Sequence, residues 1–281
     1  MTPHLVIATR NAHKVDEIKA VLGARFVYHT LRDLADAPEV DETGDTFEAN
    51  ARLKSETLAQ WLAATRPAPP LNLPSVAAGV PPAVEGGVSP PGLPGQAIQG
   101  HPHLPPGRMP GSTAGETSAA TNSVASTPHP STHTPWFVLA DDSGLEVDAL
   151  GGAPGVQSAR FAAPEFGLAG NAPDGANNAK LLRLLAQVPE TSRTARFRCV
   201  LALTAVAGPS SQDSPAPTRF FSGACEGRIG FVPRGSHGFG YDPLFIPAGF
   251  TETLAELGDT TKNRISHRSH ALQAFQAQWL P

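Results

Sequence analysis

Several short stretches of this chain set acids, cations, hydroxyls and glycines at spacings that could do chemistry. In residues 136–144, "WFVLADDSG", an apolar run ends in Asp141, Asp142 and Ser143 before a glycine. A strand running through the acids would send successive side chains to opposite faces. One aspartate then enters a cleft while the other serves packing or hydrogen bonding. A carboxylate at the C-terminal end of a strand lies where α/β sheets hold ligands, and could take a proton or bind a cation. The "GGAPG" that follows demands tight turns, after which "SARF" delivers Arg160.

Near the start, "ATRNAHK" runs from an apolar segment through Thr9, Arg10, Asn11, Ala12, His13 and Lys14 into a helical pattern. A hydroxyl, free backbone N–H groups and an ammonium converge there, as in an anion site, though the glycines of a Walker A loop are missing. In "VDETGDTFEANARLK", Asp41, Glu42, Asp45 and Glu48 crowd a helix start. Capping accounts for Asp45 or Glu48 but poorly for Asp41 and Glu42, either of which could hold a metal ion. Lys54, further along that helix, reads by default as a surface lysine.

Two later stretches suit a flat, anionic ligand. "GSHGFGYDPLF" interleaves glycines with Phe239 and Tyr241 and reaches Asp242. Gly240 allows close approach to the backbone, and an aromatic ring offers a stacking face. "TKNRISHRSHA" gathers Lys262, Arg264, His267 and Arg268 at a helix start, suited to a phosphate or a carbonyl acceptor. Acids for a divalent cation, cations for a polyphosphate and a Gly/aromatic loop for a base together make the inventory of nucleoside triphosphate chemistry.

Apolar spacing supplies the elements that must position these groups. "HLVIAT" reads as a strand, and "KVDEIKAVLGA" as a helix with Val15, Ile18, Val21 and Leu22 on one face. "TFEANARLKSETLAQWLAA" is a second helix, capped by Asp45 or Thr46, with Phe47, Ala51, Leu58 and Leu62 on or near one stripe. "WFVLADD" and "ARFRCVLALTAV" read as strands, "GANNAKLLRLLAQV" and "SHRSHALQAFQAQWL" as helices. "TRFFSGACEGRIGFVPRG" reads as paired strands with turn residues between them. Early alternation and late adjacent strands predict an α/β fold, a mixed sheet covered by helices.

Composition breaks sharply over residues 65–135, which hold sixteen of the chain's 29 prolines and four charged residues. So much proline and glycine should not pack as a domain, and nothing fixes His101, His103, His129 and His133 there for a metal. About 210 residues remain, the size of one α/β domain. A formal charge of −4 gives no general attraction to nucleic acid or an anionic membrane. Cys199 and Cys225 are too few for a disulfide scaffold and fit a reducing compartment. "MTPHLVIATRN" reads as a first strand rather than a signal peptide, and no run of apolar residues is long enough to span a membrane. The expectation is a cytoplasmic protein.

The segments "ATRNAHKVDEI", "ETGDTFEANARLK", "LADDSGLEVDALGGAPGVQSARF", "ARFRCVL", "GFGYDPLF" and "KNRISHRSHAL" resemble, in order, the inosine/xanthosine triphosphate pyrophosphatases of the Ham1-like family. The likeness spans nearly the whole chain outside the Pro-rich insertion. It implies an elongated mixed sheet flanked by helices, two lobes with a central cleft, and a homodimer. It also implies Mg²⁺-dependent hydrolysis of ITP, dITP and XTP to the monophosphate and pyrophosphate, which keeps deaminated purines out of DNA and RNA. By the resemblance, Asp142 is the general base and, with Asp41, a metal residue. Thr9 to Lys14, Lys54, Ser143 and Arg160 serve the phosphate side, and Phe239, Gly240, Tyr241, Asp242, Lys262, His267 and Arg268 the base. Arg10 departs from the glycine many members carry, and Ala49 from a common acid. The related Maf-like pyrophosphatases fit less well, because of the "ISHR" cluster and the "GFGYD" loop.

Overall fold

The computed structural model describes residues 1–65, 134–208 and 217–279, which belong to one compact unit. The Pro-rich insertion lies, apart from its edges, outside the described residues.

Six strands form one mixed sheet in the order β2-β1-β3-β4-β5-β6. They are β1 (His4–Ile7), β2 (Val27–Thr30), β3 (Trp136–Val147), β4 (Thr194–Ala205), β5 (Arg219–Ile229) and β6 (Phe245–Pro247). Strands β2, β1 and β3 are parallel, and β3 to β6 pair antiparallel. Among the described residues five α-helices cover it: α1 (Ala12–Leu22), α2 (Phe47–Thr65), α3 (Asp174–Leu184), α4 (Leu254–Ile265) and α5 (His267–Trp279). None of the described helices is long and apolar enough to cross a membrane.

Alternation along β1 and β3 splits the core into two faces. Leu5, Ile7 and Leu139 pack with Val15, Ile18 and Leu22 of α1 and Leu272 and Phe275 of α5. Val6, Ala8, Val138 and Ala140 pack instead against Leu58, Ala59 and Leu62 of α2. Each large aliphatic side chain so buried stabilises the fold by roughly 1.5–3 kcal/mol. A third cluster, with Leu145, Phe197, Leu181 and Phe245, lies toward the far end of β3 and β4.

Side chains cap the first two helices. Asn11 caps α1, its side chain accepting from the amides of His13 and Lys14. Thr46 accepts from the Ala49 amide at 3.1 Å at the start of α2, choosing between the two candidate caps. The paired strands expected within residues 218–235 are a single strand, β5, whose partners are β4 and β6. Its glycines mark close approaches rather than a turn. A Cβ at Gly223 would stand 2.2 Å from the His267 carbonyl oxygen, and one at Gly227 would stand 2.3 Å from that of Ile246. The basic cluster straddles a helix junction: Lys262 and Arg264 close α4, while His267 and Arg268 open α5.

Candidate active site

Strand β3 runs through both acids and presents them to opposite faces, in register with Leu201 and Val200 of β4. On the α2 side, Asn50 donates to Asp142 at 3.2 Å and the Lys54 ammonium donates to its other oxygen at 3.2 Å. The same ammonium donates to the Glu42 carboxylate at 3.1 Å and to the Asp141 carbonyl at 2.7 Å. Lys54 is therefore largely buried, with its side chain 12% exposed, and is no surface lysine. Burial raises the Asp142 pKa; Lys54 opposes this and Glu42 adds to it. Burial would discharge Lys54, but Asp142 and Glu42 outweigh it and hold the ammonium charged. Arg160 joins this group by donating to the Glu42 carbonyl at 3.2 Å. The turn that delivers Arg160 lies directly on β3: a Cβ at Gly144 would meet the Gly155 carbonyl at 2.4 Å.

On the opposite face, Asp141 is enclosed. It accepts from Lys14, from Ser143 at 2.8 Å, from the Cys199 thiol at 3.1 Å and from Arg268 Nε at 2.9 Å. Burial alone would raise the Asp141 carboxyl, yet Arg268 and Lys14 hold it well below the usual carboxylate range. Arg268 is itself buried and also bonds Ser143 and Glu17. Glu17, from α1, pairs in turn with Lys262 at 2.8 Å, and Lys262 donates to Asp242 at 2.7 Å. Alternating charges thus run Asp141–Arg268–Glu17–Lys262–Asp242, tying β3, α5, α1, α4 and the glycine loop together. Glu17, Asn50 and Cys199 were not expected at the site.

Two adjoining cavities contain the predicted residues other than Ala12 and His13. One, of about 460 Å³, is lined by Thr9, Arg10, Asn11, Lys14, Asp41, Glu42, Lys54, Asp142, Ser143 and Arg160. Arg10 is half exposed and pairs with Glu39 at 3.3 Å. Asp41 is exposed, whereas Glu42 is the acid that shares Lys54 with Asp142. Ala12 opens helix α1 rather than projecting a polar group. The second cavity, of about 190 Å³, is lined by Phe239, Gly240, Tyr241, Asp242, Lys262, His267 and Arg268.

Exposed His13 stacks on Phe239 at 5.5 Å, and the Lys262 ammonium lies 4.5 Å from the Phe239 ring centre. Tyr241 is buried and donates to the Ser158 carbonyl at 2.9 Å. His267 stacks on Phe197, and its buried Nδ1 has no partner among the described residues. Burial, with Arg268 beside it, depresses the His267 pKa well below the ordinary value and keeps the ring neutral. Every nitrogen of Arg268 is engaged, whereas the two bonds of Lys262 leave one of its three N–H groups uncommitted.

Fold and site together describe an α/β protein in which a cation- and acid-lined cavity adjoins an aromatic one. The chain belongs to the Ham1 family, whose model matches residues 5–68 and 110–278. It is 38% identical over 275 residues to a dITP/XTP pyrophosphatase of Exiguobacterium sibiricum, covering 97% of this chain and 95% of that protein. It is also 38% identical over 270 residues to a dITP/XTP pyrophosphatase of Geobacter sulfurreducens, covering 95% and 92%. The Staphylococcus aureus Ham1 protein superposes with a TM-score of 0.60 at 29% identity, covering 98% of this chain and 96% of that one. A HAM1 protein from Coxiella burnetii gives a TM-score of 0.61 at 26% identity, covering 98% and 97%.

Proposed function

We propose that this protein is a nucleoside triphosphate pyrophosphatase that hydrolyses ITP, dITP and XTP to the monophosphate and pyrophosphate, clearing deaminated purines from the nucleotide pool. The observation that carries this reading is the pairing of Asp142 and Glu42 about Lys54 in a cavity that opens beside the Phe239 cavity. The naming of the relatives above as dITP/XTP pyrophosphatases supports it.

Mg²⁺ is the proposed cofactor. The donors at Asp142 and Glu42 are all carboxylate oxygens, which suit a hard cation. Among the described residues no group of three or more His, Cys, Asp or Glu could enclose a metal. Mg²⁺ ordinarily needs no such cage, since it takes one or two carboxylates and completes its shell with water and substrate phosphate. We assign the ion to Asp142 and Glu42, with Asp41 at the rim. When bound, it supplies Lewis acidity toward the phosphate oxygens.

Asp142 is the proposed general base. It is buried on the wall of the phosphate-side cavity and held in place by Asn50 and Lys54, where a carboxylate oxygen can take a proton from water. Water so activated attacks the α-phosphorus and pyrophosphate leaves. Lys14, Lys54 and Arg160 take up negative charge on the phosphates. Phe239 offers a stacking face, and the uncommitted N–H of Lys262 a donor for the 6-oxo group of hypoxanthine or xanthine. Adenine would present its 6-amino group to that donor and leave both unpaired, which costs binding.

A panel of ITP, dITP, XTP, ATP and GTP, scored for pyrophosphate with and without EDTA, tests the reading. It expects the first three to dominate and EDTA to abolish release; equal turnover of ATP, or release of orthophosphate, refutes it. The resemblance further supports a homodimer working in the cytoplasm on a small-molecule substrate, with no nucleic-acid partner. Sedimentation velocity and fractionation of the native protein test those points.

A further inference from the structure

We infer that Asn171 accepts a hydrogen bond from the 3′-hydroxyl of the substrate's sugar. Five residues line both cavities: Asn11, Lys14, Ser143, Ala159 and Asn171. A nucleotide with its base in one cavity and its phosphates in the other must pass its sugar between these residues, so the inference rests on the proposed function. A sugar hydroxyl there needs an acceptor for its proton.

Four of the five have none to spare. Asn11 Oδ1 already accepts from the amides of His13 and Lys14. Lys14 has no acceptor. Ser143 Oγ donates to Asp141 and accepts from Lys14 at 3.1 Å and Arg268 at 2.9 Å. The Ala159 carbonyl accepts from the Ala172 amide at 3.0 Å and from Asn177 at 3.2 Å. The Asn171 carboxamide is exposed and makes no hydrogen bond among the described residues. It stands one residue before Ala172, whose amide donates a hydrogen bond to the Ala159 carbonyl and fixes the chain at the junction.

The choice of hydroxyl follows from chemistry. The relatives are named for one deoxyribonucleotide and one ribonucleotide. With the 5′-oxygen esterified, the 3′-hydroxyl is the free hydroxyl both sugars share.

Titration of dITP and its 2′,3′-dideoxy analogue into the full chain and into Asn171→Ala tests this. In the parent protein the dideoxy analogue should bind roughly three- to tenfold more weakly, as for the loss of one hydrogen bond. In Asn171→Ala, dITP should weaken by the same factor and the two ligands should become indistinguishable. Asn171→Asp keeps an acceptor and should keep the discrimination. An alanine variant that still separates the two ligands, or binds dITP as tightly as the parent, overturns the inference. Because binding is the readout, the expected pattern without pyrophosphate release would sink the hydrolytic reading and leave this one standing. Failure to bind dITP at all would sink both.

Discussion

Asp141→Asn and Asp142→Asn change adjacent carboxylates by the same atoms, yet the structure predicts opposite consequences. Asp141 balances Arg268 and Lys14 where both the carboxylate and the guanidinium are about 1% exposed. Removing one partner of a buried pair costs roughly 3–5 kcal/mol, because the other charge is left uncompensated. Arg268 keeps Glu17, and Lys14 keeps Ser143, so the lower end, about 3 kcal/mol, is expected. At roughly 2–4 °C per kcal/mol for a chain of this size, the melting temperature of Asp141→Asn should fall by about 6–12 °C at pH 7.

The pH dependence adds a second signature. Asp141 has a depressed pKa in the fold, against an ordinary value of 3.8. Its stabilisation is therefore complete above that value and is lost as pH falls toward the folded pKa. The deficit of Asp141→Asn should be constant from pH 7 to 5 and shrink below about pH 4, by roughly 1.4 kcal/mol per pH unit. Asp142 has a raised pKa, so its ionised form is disfavoured by the fold and neutral Asn there should not lower stability in the same way. Asp142→Asn should instead lose about 10²–10⁴-fold in turnover of ITP. Thermal melting and urea unfolding followed by circular dichroism, with pyrophosphate release on the same samples, read these quantities. A melting shift under about 2 °C for Asp141→Asn, or a larger turnover loss there than at Asp142, would refute the division between the two faces of β3.

Gly223→Ala should weaken both fold and site, because its methyl group would strike the first turn of α5 at the His267 carbonyl and the Ala271 amide. A loss of roughly 1–3 kcal/mol and a higher KM are expected, and parent-like melting would show that α5 can shift freely. Phe239→Ala should raise the KM for ITP by about three- to tenfold with a smaller change in kcat, as for loss of one aromatic stack. Deleting residues 70–131 should leave kcat for ITP within about twofold, since the proposed catalytic residues all lie outside it; a collapse in steady-state assays would place that segment in the reaction.

What could be read from the residues alone depended on whether a group's job leaves a local pattern. Helices α1 and α2 announced themselves through apolar spacing, and the alternation of β3 separated Asp141 from Asp142 before any contact was visible. Glu17 left no such trace: an acid on an amphipathic helix is ordinary, and its role arises only when Lys262 and Arg268 arrive from more than 240 residues away. Lys54 looked like a surface lysine for the same reason, since Glu42 and β3 bury it. Helix α4 is interrupted by Gly258 at a positive φ of 70°, which broke the periodic signal. In β5 the glycines of "GACEG" suggested a turn, where they instead make room for α5 and β6. Edge strand β2, four residues long, was too short to register.

The place where α2 gives way to β3 has a practical side. Thr65, at the end of α2, lies eleven residues beyond Lys54, roughly 16 Å along a helix. Trp136, at the start of β3, precedes Asp142 by six residues, about 20 Å along a strand. Whatever chain is spliced between those two points enters and leaves at the end of each element farthest from the acids. The connection is a natural grafting port. A fluorescent reporter or an affinity domain exchanged for the segment there would join the chain at those far ends.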